Sequence, residues 1–187
     1  MRTMVPPHTV AFILASILAY TLIAGPAPAQ QAASPAAPIS VPLRSADGQD
    51  VGTVTLTPTP HGLLLRGELE GLPAGWKAIH LHEAGACTPD FKAAGGHWNP
   101  SGHSHGVAQA AGSHAGDLPN FWVSGDGVAK FEMLTGRAGF GPAEANPPGV
   151  HDRDGTAIVV HARADDHRSD PAGDSGDRIA CGVIPKG

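Results

Sequence analysis

Short segments that alternate in polarity with a period of two, punctuated by glycine and proline, restrict this chain to a β fold. Val51 to Thr57 is the clearest: Val51, Thr53, Thr55 and Thr57 share one side, and Val54 and Leu56 belong to the other set. Successive strand residues point to opposite faces, and β-branched side chains suit the pleat, so the pattern predicts a strand. Ile39 to Arg44, His61 to Glu70, Lys77 to His82, Phe121 to Val123, Val128 to Leu134, Ala157 to His161 and Ile179 to Ile184 add further short strands. Turn signals join them at Asp47-Gly48, His61-Gly62, Gly71-Leu72-Pro73 and Asp126-Gly127. About eight strands at this spacing, without helical periodicity, predict an all-β antiparallel sandwich or barrel. The 25 glycines and 18 prolines fit many turns between short elements. Long glycine-rich stretches at 83–118 and 164–177 interrupt the strands, and loops of that length in a compact domain are usually functional or disordered.

The N-terminus reads as a targeting segment. Arg2 precedes an uncharged apolar run from about Val10 to Ala24, and Ala27-Pro28-Ala29 offers a small-x-small cleavage site. Residues 1–29 are therefore expected to be a signal peptide, with no membrane span in the mature form because the run is short of the roughly 20 residues a span needs. Residues 30–38, rich in Ala, Pro and Ser, read as a disordered leader. The folded domain is expected over 39–187, and the product in the periplasm or outside the cell. Export to an oxidising compartment would let Cys87 and Cys181 pair, closing a long loop for which the chain-entropy model gives roughly 4 to 5 kcal/mol; two buried free thiols are the alternative. The net charge is −5, and losing Arg2 leaves 11 basic against 17 acidic residues, about −6. Such a balance gives no reason to expect nucleic acid as a partner.

Eleven histidines remain to be explained, and their placement matters more than their number. His80 and His82 flank Leu81 in a predicted strand, so their rings leave the same face. Alone, that pair is a weak signal. The following loop adds His97, His103, His105, His114 and Asp117, and His161 ends another apolar run. Ordering loop imidazoles costs side-chain entropy without core burial, so their clustering with a carboxylate asks for a metal.

In these motifs the chain resembles the copper/zinc superoxide dismutase family, in its exported bacterial form. The resemblance rests on His80-Leu81-His82-Glu83, Cys87, Gly95-Gly96-His97-Trp98-Asn99-Pro100, and His105, His114 and Asp117 within a stretch ending Asp117-Leu118-Pro119. It continues in Val160-His161-Ala162-Arg163-Ala164-Asp165-Asp166 and Arg178-Ile179-Ala180-Cys181-Gly182. It implies an eight-stranded Greek-key barrel or sandwich with two long functional loops. It also implies one copper on His80, His82, His97 and His161, and one zinc on His97, His105, His114 and Asp117, so that His97 serves both. Asp165 is implied as the carboxylate behind His80 and His105, and Arg178 as the guanidinium that guides an anionic substrate; because local fields outweigh net charge, Arg163 or Arg168 are candidate helpers to it.

The activity implied is disproportionation of superoxide to dioxygen and hydrogen peroxide, with Arg178 and His97 in catalytic roles. A homodimer stands open, since subunit contacts differ between branches of the family. His103 could compete with His105 for zinc, although the spacing to His97 and His114 favours His105. His61, His151 and His167 are expected to be exposed. Two other readings compete: an exported mononuclear zinc hydrolase or hydratase using His80, His82 and a third histidine, and a copper-holding protein without turnover.

Overall fold

The computed structural model describes residues 37–141 and 145–186; the expected signal peptide and all but the end of the leader lie outside the described residues. Nine strands follow in order: β1 (Ile39–Ser45), β2 (Asp50–Thr59), β3 (Gly62–Leu69), β4 (Gly75–Lys77), β5 (Ile79–His82), β6 (Phe121–Val123), β7 (Ala129–Thr135), β8 (Thr156–His161) and β9 (Arg178–Ile184). Seven form one sheet in the order β5-β8-β9-β1-β2-β3-β7, and β4 pairs with β6. β4 runs into β5 with only Ala78 between, and a tight turn links β6 to β7, closed by the Ser124 N–H donating to the Val128 carbonyl at 2.9 Å. The β4–β6 pair thereby joins the two edges of the curled sheet into a β-barrel, as expected for this all-β chain.

One expected strand, Lys77 to His82, is divided. The Ala78 N–H donates to the Arg163 carbonyl at 2.8 Å and its carbonyl accepts from the His161 N–H at 2.9 Å, so the chain changes sheets there. The clean alternation expected of Val51 to Thr57 also slips. Leu43 pairs with Gly52 and Arg44 with Asp50, leaving Val51 as the extra residue of a bulge, and Val51 is buried alongside Val54 and Leu56. No helix is described beyond a single 3-10 turn, Phe91–Ala94, capped by the Asp90 carboxylate accepting from the Lys92 N–H at 2.8 Å. Among the described residues no helix is long and apolar enough to cross a membrane.

The inward set packs the barrel: Val41, Leu43, Leu56, Leu65, Ile158 and Ile184 are fully buried. Burying an aliphatic side chain of this size is worth roughly 1.5–3 kcal/mol. A smaller apolar layer forms outside, where Ala94, Ala157, Val159 and Cys181 pack under Cys87 and Phe91. Cys87 and Cys181 are joined, with Cα atoms 5.9 Å apart and a separation of 94 in sequence. This ties the loop after β5 to β9, across the outer face from which the histidines project. Besides the two expected long loops, a third connection between β7 and β8 spans 136–155.

Candidate metal centre

β5 stands at an edge of the seven-stranded sheet, and the loop after it returns to that edge. The Leu81 N–H donates to the Gly116 carbonyl at 3.0 Å, and the Leu81 carbonyl accepts from the Trp98 N–H at 2.8 Å. Two isolated bridges result, His80 to Asp117 and His82 to His97. Leu81 points into the core, so its neighbours point outward, and the bridges set His97 and Asp117 beside them. On the other side β8 pairs His80 with Val159 and His82 with Ala157, which brings His161, at the strand's end, to the same face.

Two buried quartets arise. His80, His82, His97 and His161 each offer a nitrogen within 4.8 Å of the others, and so do His97, His105 and His114 with an Asp117 oxygen. His97 belongs to both. His103 joins neither; it is exposed, its N–H and carbonyl held by the Asn99 side chain at 3.1 and 2.8 Å. His61 is exposed as expected, whereas His151 and His167 are half-buried, each with a buried ring nitrogen without a partner. His151 packs on Phe140 with ring centroids 4.7 Å apart, and His167 Nε2 lies 3.2 Å from Asn120 Nδ2, contacts that chain position alone does not reveal.

The outer nitrogens have partners, which orients the inner ones. His80 Nε2 lies 2.9 Å from Asp165 Oδ2, His82 Nδ1 3.1 Å from the Gly95 carbonyl, and His161 Nδ1 3.2 Å from the Gly176 carbonyl. His82 Nε2 and His161 Nε2 then face each other at 3.4 Å. In the second quartet, Asp117 Oδ1 stands 2.9 Å from His97 Nδ1, 3.0 Å from His105 Nδ1 and 3.3 Å from His114 Nδ1. His80 Nδ1, His97 Nε2 and His114 Nδ1 are buried without a hydrogen-bond partner. Buried polar atoms are rarely left so, and donors of this kind converging on common points fit cations. Four imidazoles suit copper; three imidazoles and a carboxylate suit zinc.

Asp165 spans the pair: Oδ2 meets His80, while Oδ1 lies 3.0 Å from His105 Nε2 and accepts the His167 N–H at 2.6 Å. Gly173, at φ +64°, backs this contact, and a Cβ there would stand 1.7 Å from Asp165 Oδ1. Burial pushes His80 down to about 3, against the pull of Asp165, and pushes His82 to about 2 and His161 to about 4. His97 is likewise lowered by burial. His105 runs the other way: burial would lower it, but hydrogen bonds to Asp117 and Asp165 outweigh that and raise it to about 9. For both aspartates burial opposes ionisation, and the same hydrogen bonds win, so each is held below its ordinary value.

Arg178 opens β9 with its two terminal nitrogens donating to the Phe91 and Gly95 carbonyls, each at 2.6 Å. Gly95 therefore holds both Arg178 and His82. Its backbone, at φ 73° and ψ −154°, belongs to glycine, and a Cβ would lie 2.5 Å from Glu83 Oε1. Arg178 lines a cleft of about 470 Å³ with Ala46, Asp90, Phe91, Lys92, Gly176 and Asp177. Arg163 is instead paired with Asp174 at 2.6 Å, and Asp166 caps the turn of Arg168 and Ser169. Neither arginine lines the cleft. Gly173 has no distinctive signal in a sequence so rich in glycine, and Gly95, although part of the motif around His97, carries no sign of its hold on Arg178.

Residues 51–184 match the model of the copper/zinc superoxide dismutase (SODC) family. A superoxide dismutase [Cu-Zn] of Caulobacter vibrioides is 45% identical over 144 residues, 76% of this chain and 82% of the relative. Among solved structures, a Cu/Zn superoxide dismutase from Brucella abortus superposes with a TM-score of 0.66 at 28% identity, covering 79% of this chain and 99% of that one. A SOD-like protein from Bacillus subtilis gives 0.73 at 34% identity, covering 78% and 97%. With its fold, paired histidine clusters and disulfide in agreement, the chain belongs to the copper/zinc superoxide dismutase family.

Proposed function

We propose that the chain is an exported superoxide dismutase, with copper held by His80, His82, His97 and His161 and zinc by His97, His105, His114 and Asp117. The observation that carries this reading is the double membership of His97. Its Nδ1 faces Asp117 while its Nε2 is buried and unpartnered. When bound, copper supplies the one-electron couple that oxidises one superoxide to dioxygen and reduces a second to peroxide, while zinc anchors the shared ring. His80 and His105 are fixed by Asp165, and His82 by Gly95, so the donors are pre-oriented. Arg178 draws the anion into the cleft and holds it beside the first quartet. His97 is the ring placed to carry a proton toward the reduced product.

The test is superoxide consumption by protein loaded with one copper and one zinc per chain. Turnover that cyanide or copper removal abolishes supports the reading. Binding of zinc alone, without superoxide consumption, favours a hydrolase, and copper binding without turnover favours a holding protein. A mononuclear zinc hydrolase on His80, His82 and a third histidine would leave the second buried quartet without a task.

Export is supported by the Cys87–Cys181 bridge, since such bonds persist in oxidising compartments. N-terminal sequencing of the mature protein is expected to begin at Gln30; an unprocessed chain contradicts export. A homodimer is the assembly the surface favours. Trp76 and Trp122, each more than half exposed, stack edge to face at 5.5 Å across β4 and β6, with exposed Leu134 lining the same groove. Sedimentation is expected to show a dimer that Trp122→Glu dissociates; a wild-type monomer contradicts it.

A further inference from the structure

Asn120 lies three residues after Asp117 and immediately before β6, outside the quartets, the carboxylate behind them and the cleft. Its side chain grips the main chain of Asp165 at both ends. Oδ1 accepts the Asp165 N–H at 2.8 Å, and Nδ2 donates to the Asp165 carbonyl at 2.8 Å. Nδ2 also lies 3.2 Å from His167 Nε2. A side-chain amide thus does for Asp165 what a neighbouring strand would do, and it starts from the barrel wall.

The consequence follows from what Asp165 touches. Its carboxylate meets His80 of the first quartet and His105 of the second. The other ties between the two long loops reach different residues: Asp170 accepts from the His105 N–H at 2.6 Å, the His167 carbonyl accepts from the Ala108 N–H at 3.2 Å, and the Arg168 carbonyl accepts from Gln109 Nε2 at 2.8 Å. The four residues from Asp117 to Asn120 therefore carry a member of one quartet at one end and, at the other, the grip on the carboxylate that spans both.

Resting on the metal assignment proposed above, we infer that Asn120 is a positioning residue that sets the two metal sites in register by holding the main chain of Asp165. Asn120→Asp keeps the shape and the acceptor for the Asp165 N–H but loses the donor and faces the Asp165 carbonyl with a negative charge. Asn120→Ala removes both ends of the grip. Outer partners of this kind are worth roughly 10- to 100-fold in metal affinity.

The experiment uses the full chain loaded with copper and zinc and follows transfer of each metal to EDTA, together with the electron paramagnetic resonance spectrum of the copper. Both variants are expected to release both metals about tenfold faster or more, with an altered copper spectrum. Asn99→Ala, which frees only the His103 backbone in the same loop, is expected to match wild type. Unfolding of the metal-free proteins, followed by circular dichroism, is expected to show Asn120→Asp folded like wild type. Wild-type release and spectra in folded Asn120 variants would overturn the inference, and so would faster loss of only one metal. A wild-type protein that takes up no copper and zinc pair would instead overturn the functional reading on which it rests.

Discussion

His80 and His105 touch the same carboxylate, yet their basicities are pushed apart. His80 is shielded from water among other imidazoles, whereas His105 lies between two aspartates. At pH 8 the metal-free protein therefore holds His105 charged and His80, His82 and His161 neutral. Zinc binding through His105 Nδ1 must displace a proton, so calorimetry in buffers of different ionisation enthalpy is expected to count about one proton released per zinc. A count of zero at pH 8 would contradict the arrangement. The same shifts give metal-free stability a maximum. The raised His105 stabilises the fold below about pH 6.5, and that contribution is lost as pH rises through about 9. The lowered His161, His80 and His82 remove stability as pH falls from about 6.5 toward about 4, about 3 and about 2 respectively. Thermal midpoints of the metal-free protein are expected to fall on both sides of pH 6.5, and a monotonic trend would not fit. Gly173→Ala adds a Cβ where Asp165 Oδ1 stands, so metal affinity is expected to drop by roughly 10- to 100-fold, as read by chelator competition.

At the scale of elements, strands such as β1, β3 and β7 were legible because each buries one face and alternates accordingly, whereas β5 and β8 are buried along their whole length and show no alternation. Val51 shows the limit: the bulge opposite Leu43 and Arg44 moves it to the other face, and a bulge is set by pairing with β1 rather than by its own neighbours. Ala78 makes the same point, since the break between β4 and β5 follows from bonds to Arg163 and His161, far along the chain. The histidines of the quartets could be named from motifs, but the grips of Gly95 and Asn120 could not, because backbone carbonyls and single amides leave no pattern. The disulfide belongs to this scale as well. It anchors the loop carrying Phe91 and Gly95, whose carbonyls hold Arg178, to β9. Cys87→Ser is expected to cost roughly 2–5 kcal/mol, measured by denaturant unfolding of the metal-free form. It is also expected to lower superoxide turnover by freeing Arg178. Stability equal to wild type would show the bridge to be dispensable.

The whole molecule carries a net charge of −5, yet its proposed substrate is an anion. Encounter then depends on the local field of the cleft, where Arg178 and Lys92 face Asp90 and Asp177. With the local charges balanced, Asp177→Asn is expected to raise the rate severalfold at low salt and Arg178→Ala to lower it, with both differences shrinking as salt is added. Rates indifferent to salt and to both substitutions would remove steering from the account. Beneath these effects lies the geometry of one shared ring, framed by an edge strand and the loop that returns to it. Anomalous diffraction at the copper and zinc absorption edges, from crystals of protein loaded with both metals, examines it directly. The account predicts two separate peaks flanking the ring of His97, copper toward His161 and zinc toward Asp117; one peak, or two remote from that ring, would contradict it.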